Sequence, residues 1–254
     1  MSQVDLKTPA ELSVMRDASR IVSEILDELE RAVAPGVSTW DLDHLAEELI
    51  AKKGAEPAFK GYRGFPAVLC ASINEEVVHG IPSKKRVLQK GDLMKLDFGV
   101  RYQGFFGDAA RTVPVGEISP EAQALVTATR EALYKGIEQM VPGNRVGDVS
   151  FAVEAHVEAR GYSVVRDFVG HGIGKALHEE PQVPNYGEAG AGRKLRPGMV
   201  LAVEPMVNAG TWKVRLLDDD WTVVTLDKRL SAHWEHTVAI TENGPEILSV
   251  SARA

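Results

Sequence analysis

Residues 88–99 read LQKGDLMKLDFG and residues 195–206 read LRPGMVLAVEPM. Laid over one another, they match Leu88 to Leu195, Gly91 to Gly198 and Asp97 to Glu204, each pair 107 positions apart. The same spacing of 107 joins Pro35-Gly36 to Pro142-Gly143, Asp41 to Asp148 and Gly54 to Gly161. One offset recurring in four separate places marks an internal duplication, with halves of about 1–117 and 118–254 in a single unit.

The rest of the chain fills in each half. Thr8-Pro9 and Ser119-Pro120 set a capping hydroxyl before a proline that suits a first helical turn. Helical apolar spacing follows over 9–33 and 120–140 and stops at Pro-Gly, with shorter helices expected over 40–53 and 147–160. Alternating or continuous apolar runs predict strands over 93–100, 105–115, 199–207, 221–226 and 234–241. Helices gathered ahead of strands, twice over, predict an α+β fold in which the strands merge into one curved sheet backed by helices.

Composition narrows the function classes. The 254 residues are 44% hydrophobic and 26% charged, which excludes disordered and collagen-like chains. A net charge of -7 argues against specific DNA binding and loose nucleic-acid attachment. Cys70 is the sole cysteine, so no internal disulfide forms and a reducing compartment is expected. The start, MSQVDLKTPAEL, lacks a basic-then-apolar leader, and no apolar run approaches the ~18 residues of a membrane span. The expectation is a cytoplasmic protein with no membrane contact.

Four acids and a histidine stand out. If the hairpin 95–113 turns about Tyr102-Gln103, Asp97 directly faces Asp108, with Cβ atoms about 4.5–5.5 Å apart; a loop of odd length would make the pair diagonal but keep the two acids near. Met94, Leu96, Phe98 and Val100 then line the opposite face, against helices. Two carboxylates so close repel unless a proton or a cation intervenes. The duplication supplies Glu204 within VLAVEPMV and Glu235 within HWEHTVAI, both in apolar surroundings where a lone acid is costly. A single buried acid is usually half of a structural ion pair; four in a duplicated pattern point to one or two divalent metals. His171, between glycines in VGHGIGK, tilts the choice toward Mn, Fe, Co or Zn. His79 and His178, mates in H-x-x-P, remain for acid–base and oxyanion work. His44 and His156 read as ordinary helix residues, and His233 and His236, flanking Glu235, receive only a minor supporting weight. Asp218-Asp219-Asp220 reads as a solvated turn, Cys70 as a packed residue, and Lys84-Lys85-Arg86 as a solvated loop or a polyanion contact.

On the stretches 61–82 (GYRGFPAVLCASINEEVVHGIP), 96–113 (LDFGVRYQGFFGDAARTV), 170–185 (GHGIGKALHEEPQVPN), 201–206 (LAVEPM) and 233–241 (HWEHTVAIT), the chain resembles the type I methionine aminopeptidases in their bacterial short form. Their order and spacing are more specific than any one of them. The resemblance implies the pita-bread fold and two metal ions held by Asp97, Asp108, His171, Glu204 and Glu235, with Asp108 and Glu235 bridging. It implies substrate contacts from His79 and His178, and a methionine pocket lined by Phe59, Tyr62, Phe65, Cys70, Leu177 and Trp221. Phe59, Arg63 and Leu177 stand where the common bacterial pattern has Cys, His and Phe. The implied activity is removal of the N-terminal Met of nascent polypeptides by a monomer, preferably before a small second residue, with Glu204 as proton shuttle. Lys84, Lys85 and Arg86 are the expected ribosome contact. A prolidase-like relative would carry a further N-terminal domain and a histidine where Lys175 stands.

Overall fold

The computed structural model describes residues 4–251. The first half contains α1 (Pro9–Ala32), α2 (Thr39–Lys53), β1 (Glu56–Pro57), β2 (Leu69–Ile73), β3 (Glu76–Val78), β4 (Leu93–Tyr102) and β5 (Phe105–Pro114). The second contains α3 (Pro120–Glu138), α4 (Val146–Glu158), β6 (Ser163–Val164), β7 (Gly170–Gly172), β8 (Glu179–Val183) and β9 (Val200–Val203). It continues with β10 (Met206–Asn208), β11 (Val214–Leu216), β12 (Val223–Thr225), β13 (Ser231–His233), β14 (Glu235–Thr241) and β15 (Gly244–Ile247).

The helices begin where their caps dictate. The Thr8 hydroxyl accepts from the Glu11 amide while the Glu11 carboxylate takes the Thr8 amide, and Ser38 with Asp41 repeats the exchange at α2. Each such cap is worth about 1 kcal/mol. The duplication is visible in hydrogen bonds. The Gly36 amide donates to the Leu88 carbonyl at 2.9 Å, and the Gly143 amide to that of Leu195 at 3.2 Å. The isolated bridge Ser38–Val87 recurs as Arg145–Lys194, again 107 residues on.

The strands form a curled antiparallel sheet in the order β1-β4-β5-β14-β9-β7-β8, with β2 beside β4 and β15 beside β14. On its helix-covered face, Met94, Leu96, Phe98 and Val100 pack against Ile21, Val22, Ile25, Leu26 and Leu29 of α1. In the second half, Leu201, Val203, Val238 and Ile240 pack against Leu133 and Ile137 of α3. Each fully buried side chain of this kind contributes about 1.5–3 kcal/mol. Alternation along the strands leaves the other face to Asp97 and its counterparts.

Two details differ from expectation. The β4–β5 register pairs Asp97 with Ala110 and Asp108 with Gly99, so the two acids are diagonal neighbours and do not face each other. The turn is Gln103-Gly104, both at positive φ (47° and 85°), one residue beyond the expected centre. Glycine accepts that left-handed conformation cheaply, which places the turn. The run 199–207 is also two strands, β9 and β10, broken at Glu204-Pro205.

The halves meet where β5 pairs with β14 through only Glu235–Ala110 and His236–Ala109. Two threonines reinforce this seam. Thr112 Oγ1 donates to the His233 carbonyl at 2.8 Å and accepts from its amide at 2.9 Å. Thr237 Oγ1 does the same to Asp108, at 2.7 and 3.1 Å. Among the described residues no helix is long and apolar enough to cross a membrane.

Candidate metal centre

The acids converge at the seam. Asp97 comes from β4, Asp108 from β5, Glu235 from the start of β14, His171 from β7, and Glu204 from the break after β9. At that break the Glu204 carbonyl accepts from Asn185 Nδ2 at 3.0 Å. All five line one pocket, together with His79 and His178. One ligand atom each from Asp108, His171 and Glu235 lies within 4.8 Å of the others. His171 Nε2 lies 3.7 Å from Glu204 Oε1. His171 Nδ1 is 2.9 Å from the Gly172 carbonyl, a contact that takes the ring proton there and leaves the Nε2 lone pair facing the cluster.

Electrostatics make this cluster unstable as it stands. Burial pushes Asp97 up to about 7. Burial, with the charges of Asp97 and Glu204, drives Asp108 well above the carboxylate range. Burial and the other three acids do the same to Glu235, and burial with Asp97 to Glu204. Asp108 Oδ1 and Glu235 Oε1 are buried without a hydrogen-bond partner. Unpartnered buried acceptors at a carboxylate–imidazole cluster are the chemistry a first-row divalent cation satisfies, so the residues fit one.

His79 follows β3 with a left-handed backbone, φ 61°. Its ring is held edge-on by Phe168 at 5.4 Å and Trp221 at 6.1 Å. Burial pulls its pKa down to about 4, so it is a neutral imidazole near pH 7. His178 is exposed at the mouth, stacked on Tyr62 at 5.3 Å and 4.1 Å from the His171 ring. Burial, then the Arg63 charge, lower its pKa.

The remaining candidates Phe59, Tyr62, Phe65, Cys70, Leu177 and Trp221 line the same pocket. Phe65 meets Trp221 edge-on at 5.1 Å. Burial, followed by the charges of Asp97 and Asp108, raises the Cys70 thiol, which stays protonated and inert. The basic loop is less free than expected. Arg86 donates to the carbonyls of Ala71 (3.1 Å) and Ile81 (2.9 Å) and pairs with Glu76, so it belongs to the fold. Lys84 lies 4.1 Å over the Trp40 ring.

Three neighbours carried little or no signal. His233 is 1% exposed, both ring nitrogens lack partners, and Nε2 lies 3.8 Å from Glu204 Oε2. Lys95, also 1% exposed, donates to the carbonyls of Asn74 (2.8 Å) and Ser231 (3.0 Å). Its position two residues before Asp97 puts both on one face, which the alternation alone could have flagged. Phe168, which walls His79, had no sequence signal.

The sequence profile of metallopeptidase family M24 matches residues 13–242. The chain is 57% identical to the methionine aminopeptidase of Clostridium acetobutylicum, over 96% of this chain and 98% of that one. It is 52% identical to methionine aminopeptidase 1 of Bacillus subtilis, with the same coverage of both chains. The crystal structure of the Thermotoga maritima methionine aminopeptidase superposes with a TM-score of 0.97 at 48% identity, covering 98% of this chain and 100% of the other.

Proposed function

We propose, for a chain that belongs to metallopeptidase family M24, has its pita-bread fold and is a methionine aminopeptidase removing N-terminal Met, that Asp97, Asp108, His171, Glu204 and Glu235 hold two divalent cations. Asp108 and Glu235 would be shared between the ions, and Mn, Fe, Co and Zn would all suit the donor set. The observation that carries this is the convergence of four carboxyl groups, two of them buried with orphaned oxygens, on His171. Bound there, the cations supply Lewis acidity, which makes water a nucleophile near neutral pH and draws charge from the scissile carbonyl.

The chain's own residues do the rest. Asp97 marks the end of the pocket that receives the free amine, which restricts cleavage to chain ends. Glu204, beside the candidate cation site and the scissile bond, takes the water's proton and delivers it to the leaving amine. His178 donates to the oxygen on which negative charge develops, oriented by its stack on Tyr62. Neutral His79, walled by Phe168 and Trp221, contacts the scissile amide nitrogen. Phe59, Tyr62, Phe65, Cys70, Leu177 and Trp221 take the methionine side chain, whose thioether gains from sulfur–ring contacts. A small second residue is preferred. We place the enzyme in the cytoplasm as a monomer, one catalytic unit over 1–254, acting on nascent chains with Lys84 and Lys85 toward RNA phosphates.

The test is to strip the protein with chelator, restore Mn(II) or Co(II), and offer Met-Ala-Ser and Ala-Pro-Ser with mass-spectrometric detection. Metal-dependent release of Met alone, at two ions per chain, is expected. Release of Ala from the proline peptide, or metal binding without turnover, would overturn the proposal.

A further inference from the structure

Of the residues lining the pocket, only Arg63 and His178 are exposed, so these two frame its mouth. Arg63 sits in the single turn Tyr62–Gly64 with φ 49°, between Gly61 at 84° and Gly64 at 92°. A left-handed backbone costs a residue bearing a Cβ what it does not cost glycine. The Arg63 guanidinium lies 5.4 Å from the centre of the Tyr62 ring, and that ring stacks on His178, which touches His171. Guanidinium, phenol and two imidazoles thus touch in sequence between the mouth and the candidate metal centre.

Among the described residues, no carboxylate lies within ion-pair distance of Arg63 and no acceptor takes its N–H groups. Its charge nonetheless reaches inward, adding to burial in holding His178 below the ordinary imidazole range. Once two divalent cations balance the four carboxylates, as the proposed function has it, Arg63 is the uncompensated charge on the pocket wall. A peptide whose amine lies at the Asp97 end and whose first carbonyl lies at His178 leaves past Tyr62 and Arg63. The two ring distances, 5.3 and 5.4 Å, put the guanidinium no more than about 11 Å from the His178 ring. An extended chain advances ~3.3–3.6 Å per residue, so this span reaches as far as the third or fourth residue of the substrate and no further.

We propose that Arg63 is a specificity-determining residue that selects substrates carrying a carboxylate there, either an Asp or Glu side chain or the free C-terminus of a short peptide. The interaction is made equally before and during the chemical step, so it acts on KM and leaves kcat alone.

The test compares C-terminally amidated Met-Gly-Glu-Gly-Ala, Met-Gly-Gln-Gly-Ala and Met-Gly-Lys-Gly-Ala on the Mn(II)-loaded enzyme. Met-Gly-Gly as free acid and as amide separates the terminal carboxylate from the side chain. The wild type is expected to favour Glu over Lys by about three- to tenfold in kcat/KM, through KM, with the preference fading in high salt. Arg63→Gln brings the ratio close to one and Arg63→Glu inverts it. Arg63→Gly, which suits the left-handed backbone, gives the same collapse if the glutamine variant folds poorly. Equal cleavage of all three pentapeptides by the wild type, or a ratio that survives Arg63→Gln, would overturn the assignment while leaving the aminopeptidase reading intact. Failure to cleave any of them would instead strike that reading.

Discussion

Replacing Lys95 with Met measures what a buried ammonium does beneath the seam. Burial pulls the Lys95 pKa from 10.5 down to about 7. At 1.36 kcal/mol per pH unit, keeping the proton in the folded state costs about 5 kcal/mol. The ammonium also supplies hydrogen bonds to the carbonyls of Asn74 and Ser231. Methionine preserves the stem but strands both acceptors, a loss of about 3 kcal/mol together. The sign follows from proton binding. Unfolded Lys95 holds its proton up to about 10.5 and folded Lys95 only to about 7. Between those values the unfolded state binds more protons, so the wild type gains stability as pH rises; the penalty is complete below 7 and gone above 10.5. Lys95→Met should therefore be more stable than wild type by about 2 kcal/mol at low pH and less stable by about 3 kcal/mol at high pH, crossing between about pH 8 and 9. Urea titrations of the metal-free proteins across this range give the difference directly, and at acid pH the Tm gain is about 4–8 °C. Two stability curves that run parallel with pH would show that Lys95 does not titrate there. A variant weaker at every pH would show that its two hydrogen bonds outweigh its desolvation.

Metal binding should release protons, because Asp97 is pushed up to about 7 and Asp108 and Glu235 lie well above the carboxylate range in the metal-free fold. Mn(II) affinity then rises with pH, about tenfold per unit for each proton displaced; calorimetric heats identical in buffers of different ionisation enthalpy would refute this. Gly107→Ala should lose about 1–3 kcal/mol, since a Cβ there meets the Ser19 amide nitrogen at 2.8 Å and its Cα at 2.9 Å, wedging α1 off β5. An unchanged urea midpoint would contradict that.

The architecture was legible because duplication is arithmetic. A shared offset survives drift in side chains, so the helix pairs, their caps and the strands could be placed from Leu88 and Leu195 outward. The candidate cluster was legible for a different reason: Glu204 and Glu235 lie in apolar runs, where an acid needs a partner. The hairpin register was not, because it depends on which residues accept positive φ, and Gly104 rather than the midpoint of the segment decided it. Arg86 looked like a surface charge because sequence shows charge and not direction; its guanidinium turns inward to the backbone carbonyls of Ala71 and Ile81. Lys95 escaped notice because its partners come from segments remote in the chain. Ser231 reaches over Lys95 from 136 residues away, and no local pattern announces such a meeting.

The short β5–β14 seam also fixes when a newly made copy of this enzyme becomes one. Thr237 closes on Asp108 across 129 residues, and Glu235 is translated after every other acid of the cluster. Pairings this far apart in sequence form late, since the intervening chain must first be gathered. Until the ribosome has delivered β14, the emerging polypeptide lacks one wall of its own pocket. A partly synthesised molecule that stops short of β14 therefore has an incomplete pocket, and the cluster is completed in one step when β14 pairs with β5.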